Sequence, residues 1–279
     1  MATDLLGHVD AFEAVSLPEL EDRAALQTRV DRKYIVDYET LERLFSELGD
    51  DDYLALEIDG ERLQQYDSVY FDTPELMSYR DHLQGRRKRF KSRTRLYGGT
   101  ACFFDLKMKG KRGETVKSRL PLSAPEHGSL TGQASAFLKR GLLKEYGCAA
   151  PAGLVATLET SFERLTLIHA HKAERLTVDF GITFSGVGSD ERYRMRPGHV
   201  LIETKSGSQL GTVDRLLLGL GARPLTMCSK YSLGVALAKA ALPTNPYRPL
   251  LRRYFDPTPV SEPLPALVAS PDLVPALAA

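Results

Sequence analysis

Residues 91–107 read Lys91-Ser92-Arg93-Thr94-Arg95-Leu96-Tyr97-Gly98-Gly99-Thr100-Ala101-Cys102-Phe103-Phe104-Asp105-Leu106-Lys107. Two alternating runs flank Tyr97-Gly98-Gly99-Thr100, which predicts a β-hairpin with strands at about 87–97 and 101–109. A strand sends successive side chains to opposite faces. Arg89, Lys91, Arg93 and Arg95 therefore share one face, with Phe90, Thr94 and Leu96 on the other. In the partner strand Asp105, Lys107, Lys109 and Lys111 share a face, opposite Phe104, Leu106 and Met108.

The same division recurs outward from the hairpin. Asp31 and Lys33 align in the alternating segment 29–36. Glu203 and Lys205 align opposite Val200, Ile202 and Thr204, and Arg175 and Asp179 align opposite Leu176, Val178 and Phe180. Gln65–Asp72 reads as a strand stopped by Thr73-Pro74, and further strands are expected at 114–120, 154–168, 173–180 and 199–205. Helices are expected after Asp37, with Leu41, Leu44, Phe45 and Leu48 on one face, and at 129–147, 208–220 and 229–242. Strands outnumber helices and follow one another in sequence, which favours an α+β, antiparallel architecture over alternating β/α units. The organisation read from this is an acidic, amphipathic lead-in over 1–28, one domain over 29–242, and a Pro-rich flexible tail over 243–279. Six prolines fall between Asp256 and Ala279.

Over all 279 residues, 37 Lys and Arg nearly cancel 36 Asp and Glu, so a tail-driven nucleic-acid binder is not expected. The balance is uneven along the chain. Between Arg86 and Arg119 there are 13 Lys and Arg against Asp105 and Glu114, a local net charge of +11 that leaves −10 for the remainder. Such a block points to a localised anionic partner. The three cysteines, Cys102, Cys148 and Cys228, lie far apart, which argues against a disulfide framework or zinc ribbon and suits a reducing, cytoplasmic setting. No signal peptide or membrane-spanning run is read from the sequence.

A face of charged side chains is ordinarily just solvated. Here like charges two residues apart, about 7 Å, repel by about 2 kcal/mol per pair at an effective dielectric of 20, before salt screening. A solvated face mixes signs, and this one hardly does. The pattern leaves two readings: a solvated sheet face, or a basic concave face that grips a chain of phosphates, to which the arginine fork is suited. His8, His82, His127, His169, His171 and His199 form no H-E-x-x-H, and His169 with His171 reads as structural. There is no Walker loop, G-x-G-x-x-G or G-x-S-x-G, and no aromatic motif interleaves the basic block as single-strand nucleic-acid binding would require.

Seven short motifs occur in order: Arg-Val-Asp-Arg-Lys-Tyr (29–34), Tyr-Phe-Asp-Thr (70–73), Lys-Ser-Arg-Thr-Arg-Leu-Tyr-Gly (91–98), Phe-Asp-Leu-Lys (104–107), Glu-Arg-Leu-Thr-Val-Asp (174–179), Leu-Ile-Glu-Thr-Lys (201–205) and Cys-Ser-Lys-Tyr (228–231). Together, over about residues 28–240, they resemble the VTC domain, the polyphosphate polymerase branch of the triphosphate tunnel metalloenzymes. The resemblance implies a closed or nearly closed antiparallel β-tunnel with helices outside. Its lumen would bind ATP or another triphosphate, and polyphosphate, through Lys and Arg, with Mn2+ or Mg2+ on a carboxylate. Carried onto this chain, the phosphate-binding and catalytic set is Lys33, Arg93, Arg95, Lys107, Arg164, Arg175, Lys205 and Lys230, with Lys109 added for binding and Glu203 as the metal ligand. Arg164 and Lys230 rest on the resemblance alone.

Tunnel hydrolases of the thiamine-triphosphatase type carry Glu-x-Glu-x-Lys in the first strand. Here Arg29, Asp31 and Lys33 hold those places, so one carboxylate is a cation, which favours the polymerase-like branch. The implied activity is transfer of the γ-phosphate of ATP to a polyphosphate end. The alternatives are a triphosphatase and a non-catalytic polyphosphate-binding module. No nucleic-acid partner is expected, while a membrane-protein partner and the oligomeric state stay open.

Overall fold

A computed structural model of the chain describes residues 2–23, 30–49, 52–207, 209–239 and 246–260. Arg29, Asp51, Ser208, Leu242, Leu26 of the lead-in and the Pro-rich stretch beyond Val260 lie outside the described residues. In chain order the elements are α1 (Ala2–Ala11), β1 (Glu13–Val15), α2 (Leu17–Arg23), β2 (Val30–Asp37), α3 (Tyr38–Glu47), β3 (Tyr53–Leu56), β4 (Leu63–Asp72) and α4 (Met77–Leu83). They continue with β5 (Phe90–Tyr97), β6 (Ala101–Lys109), β7 (Thr115–Leu122), α5 (Gly132–Tyr146), β8 (Val155–His169), β9 (Arg175–Gly186), β10 (Arg192–Arg194), β11 (His199–Ser206), α6 (Thr212–Gly219), α7 (Lys230–Ala238) and α8 (Arg248–Tyr254).

The strands form one sheet in the order β2-β11-β9-β8-β4-β5-β6-β7, antiparallel at every step, with β10 on β9, β3 on β8 and β1 parallel to β3. This is the expected α+β antiparallel class. The β5–β6 turn is made by Gly98 and Gly99, both at positive φ (51° and 73°), the backbone that a tight hairpin requires and glycine adopts without strain. The sheet curls. Lys107 on β6 lies within the electrostatic reach of Lys33 and Glu203 on β2 and β11, at the other end of the strand order. Among the described residues the edge strands β2 and β7 are not hydrogen-bonded to each other.

The two faces have different partners. Outside, α1, α3 and α6 cover β2, β8, β9 and β11 through Phe12, Leu41, Phe45, Val213, Leu217, Val178 and Ile202. Also outside, α5 covers β5 and β6 through Leu138, Leu142, Phe104 and Leu106. One buried carboxylate fastens α6. Asp214 accepts hydrogen bonds from Arg32 Nη1 (3.0 Å), Tyr34 Oη (2.8 Å), Thr204 Oγ1 (2.6 Å) and the Gly211 amide (3.0 Å).

Three helices lie on the inner face, where the resemblance implies helices outside only. Helix α7 buries Tyr231, Leu233, Val235 and Ala236 against Ile35, Tyr70, Leu158, Phe162, Phe184 and Leu201, and α4 and α8 join that cluster through Tyr79, Tyr247 and Phe255. These strand residues share a face with Lys33, Arg93 and Glu203. The inner face is thus part apolar core and part charged. The segment 246–260, assigned to the tail from its prolines, carries α8, bridges Phe255 to Met195 and Val260 to Arg192, and buries Tyr247 and Phe255. Two aromatic side chains outweigh what its composition suggests. Alternation in the sequence also fails to reveal β3, whose four residues are all buried, and the three-residue β1 and β10.

Strand β9 contains a bulge. Between Phe180, which pairs Glu163, and Thr183, which pairs Ser161, two residues oppose the single Phe162 of β8. The first is Gly181, at φ 57°, the conformation that a glycine bulge uses. Val178 and Phe180 therefore face the outer core, while Ile182 and Phe184 face the inner one. Among the described residues no helix is long and apolar enough to cross a membrane.

Candidate triphosphate-binding site

The inner face collects cations from several elements. Lys33 comes from β2, Glu203 and Lys205 from β11, Arg164 from β8, Asp179 from β9, Lys91, Arg93 and Arg95 from β5, Lys107 from β6 and Lys230 from the start of α7. Strand alternation aims each strand residue inward, because its even-numbered or odd-numbered neighbours are needed by the outer core.

Each carboxylate is already held. Glu203 takes Lys33 on one oxygen and Lys205 on the other, both at 3.0 Å. Burial alone would push Glu203 up, but Lys205, Lys33 and Arg164 outweigh it and hold the group well below the usual carboxylate range. Asp179, fully buried, receives the Arg164 fork at 2.5 and 2.8 Å and the Lys230 ammonium. Asp105 receives Arg93 at 3.0 Å and Arg119 at 2.8 Å and is lowered to about 2, because these arginines overcome its burial. Arg93 also donates to the Tyr70 hydroxyl at 2.9 Å.

Other cations rest on neutral groups. Arg95 is 7% exposed, donates to Ser68 Oγ at 3.1 Å, and lies over the rings of Tyr66, Tyr97 and Phe162. Lys91 donates to Ser229 Oγ at 2.7 Å, and Ser229 caps α7. Burial, with Lys107, Lys33, Arg89 and Arg93 nearby, drives Lys91 well below the usual lysine range. Lys107 is pushed down to about 8 by burial and then by Lys117 and Lys33. Charged ammonium groups are costly here without an anion. An anion placed among them would offset that cost.

Of the residues expected from sequence, Lys33, Arg93, Arg95, Lys107, Arg164, Lys205, Lys230 and Glu203 are brought together on this face. Arg175 sits at the end of β9 opposite Lys205, where its charge helps to depress the Lys205 ammonium behind the larger effect of burial. Lys109 closes β6, and its amide is tied to the Tyr146 hydroxyl of the outer helix α5. Arg89 and Lys111 leave the face: Arg89 precedes β5 and donates to the carbonyls of Gly85 and Arg86, and Lys111 lies in the turn after β6. Lys91, Asp105 and Asp179 are more central than the sequence ranks them. Their alternation with Arg93, Lys107 and Arg175 is the available signal.

As to a metal, no group of three or more His, Cys, Asp or Glu is placed to hold an ion among the described residues. Glu203, with Asp31 on the same face, suits only an ion that draws most of its ligands from phosphate oxygens and water, as Mg2+ does. A cavity of about 360 Å³ also opens on the outer face, lined by Asp67, His127, Glu159, Ser161, Thr183 and Ser185; it holds none of these cations.

The depressed lysines give a pH prediction. Lys107, whose side chain still reaches solvent, is held down to about 8 against an ordinary 10.5, so its contribution to stability is present above the latter value and lost as pH falls through the former. A bound polyanion reverses this, since it favours the charged ammonium. Tripolyphosphate is expected to raise Tm more at about pH 7 than at about pH 9.5. Equal shifts would take Lys107 out of the ligand's field.

Comparisons with known proteins assign the chain through its sequence. A search of curated protein sequences finds no match. Among solved structures, the chain is similar to HpAC1 from Hippeastrum, reported to have a dominant triphosphatase activity (13% identity, TM-score 0.46, covering 77% of this chain and 97% of that one). It is also similar to the Bacillus halodurans protein bh2851 (16%, 0.40, 73% and 95%) and to the inorganic triphosphatase NE1496 (15%, 0.27, 66% and 77%). Residues 28–239, most of the chain, match the profile of the VTC domain, and the chain belongs to that family.

Proposed function

We propose that the inner face binds the phosphates of a nucleoside triphosphate and that the chain transfers the γ-phosphoryl group of ATP to the end of a polyphosphate chain. One observation carries the reading. Lys33, Lys91, Arg93, Arg95, Lys107, Arg164, Lys205 and Lys230 share a face with Asp31, Asp105, Asp179 and Glu203, an excess of four positive charges on a face that is buried at Arg95, Lys205 and Asp179 and for the most part half-buried elsewhere. Membership in the VTC family supports phosphoryl transfer on triphosphates as the broader class.

Phosphoryl transfer needs alignment and charge stabilisation more than a nucleophilic side chain. Arg93, Arg95 and Arg164 would fork onto phosphate oxygens, and Lys33, Lys91, Lys107, Lys205 and Lys230 would act as point charges. Mn2+ or Mg2+, held by Glu203 together with phosphate oxygens, would supply further neutralisation of the phosphates when bound. A phosphate acceptor is already deprotonated, which fits a site built from cations. The neutralised state of Glu203, with a lysine on each oxygen, favours a second reading, a non-catalytic polyphosphate-binding module.

Incubation with ATP and Mn2+, resolved by gel and phosphorus NMR, tests these readings. Long phosphate chains support the polymerase. ADP with free phosphate indicates a triphosphatase, and bound tripolyphosphate without turnover indicates the module. Arg95→Ala is expected to weaken tripolyphosphate binding by about 2–3 kcal/mol. Arg93→Ala is expected to cost less, because Asp105 already offsets that guanidinium. Unchanged binding in both, by calorimetry, would return this face to plain solvent.

A further inference from the structure

Among the described residues, Phe162 is the one over whose ring three cations of the site converge. Lys230 Nζ lies 4.2 Å from its centroid, the Arg164 guanidinium 5.2 Å and the Arg95 guanidinium 6.0 Å. The ring is 2% exposed and stacked on Tyr66, at 5.3 Å and 25° between planes. Tyr66 in turn carries Arg95 at 5.2 Å and Arg164 at 4.9 Å. Phe162 stands at the β9 bulge, where its pairing with Tyr66 in β4 is kept while two β9 residues span the opposite side.

Three like charges so close need a counterweight. Asp179 supplies one negative charge in contact, to Arg164 and Lys230, and Glu203, already paired with Lys33 and Lys205, attracts both from further off. Another carboxylate in contact would steady the group but cancel the field that an incoming anion uses. An aromatic face attracts cations through its quadrupole and carries no net charge, and the attraction is strongest when the pair is shielded from water. It can therefore gather the cations and leave their charge for the ligand. We propose that Phe162 is a positioning residue for anion binding, holding Arg95, Arg164 and Lys230 in register through its π-face. The inference rests on the phosphate-binding reading above.

The test is tripolyphosphate affinity by calorimetry at low salt, below the melting temperatures of all variants. Phe162→Leu keeps an apolar side chain and removes the π-face; its Kd is expected to rise about ten- to thirtyfold, the equivalent of a shielded cation–π contact. Phe162→Tyr, which keeps the face, is expected to stay within about threefold. Phe180→Leu is a control, since Phe180 is as buried but lies in the outer core; it is expected to lower Tm without changing Kd. Replacing Phe162 with ring-fluorinated phenylalanines, which keep shape and drain the π-face stepwise, is expected to weaken binding stepwise. A Phe162→Leu protein that binds like the parent, or a flat fluorination series, would overturn the proposal. So would a Phe180→Leu protein weakened as much as Phe162→Leu. If the unaltered protein does not bind tripolyphosphate at all, it is the underlying site that fails.

Discussion

Replacing Asp214 by alanine is expected to lower the unfolding free energy by about 3–5 kcal/mol, the cost of leaving a buried, multiply bonded ionic partner without its counter-charge. Arg32, Tyr34, Thr204 and the Gly211 amide all converge on this one carboxylate, which is fully buried. Arg32 and Tyr34 flank Lys33 in β2, and Thr204 lies between Glu203 and Lys205 in β11, so the network clamps from outside the two strands that present the lysine–glutamate–lysine group within. Urea denaturation is the measurement, and a loss under about 1 kcal/mol, the worth of an ordinary hydrogen bond, would show that apolar packing alone holds α6.

Glu203→Gln is expected to abolish turnover, by about a hundredfold or more, while tripolyphosphate binds as tightly as before or tighter. The sign follows from the neighbours. Glu203 spends its charge on Lys33 and Lys205, and the neutral amide hands both back to the ligand. Steady-state kinetics with ATP and Mn2+, beside a tripolyphosphate titration, separates the effects. Full activity would remove Glu203 from the chemistry, and lost binding would make it a scaffold residue.

Much of this site is legible in the sequence, and the reason is the period of a strand. Arg93 and Arg95, Lys107, and Glu203 with Lys205 stand at every second position against residues that must be buried, so their common face follows from alternation. What alternation cannot show is which apolar residues line the same face. Phe162, Tyr66 and Tyr70 carry no charge for alternation to mark, yet they lie beside the arginines. Nor can it show that α7 enters the curl, because a helix buried nearly all round has no polar stripe to orient it. Arg164 and Lys230 follow only from family resemblance: their anchor, Asp179, is distant in the chain from both. In the segment 246–260, composition misleads, since two buried aromatic anchors count for more than proline content.

The bulge at Gly181 has a consequence for how this family of sequences can change. Strand β9 pairs with β8 on both sides of the bulge, yet packs its apolar side chains on one side of the sheet before the bulge and on the other after it. Substitutions that respect size can accumulate along it. A single-residue deletion is absorbed at Gly181, since Ile182 would then oppose Phe162 alone and Thr183, Phe184 and Ser185 would keep their faces, whereas a deletion in the regular parts of the strand would turn side chains over. Gly181 is therefore the point in β9 at which natural variation in length should be found.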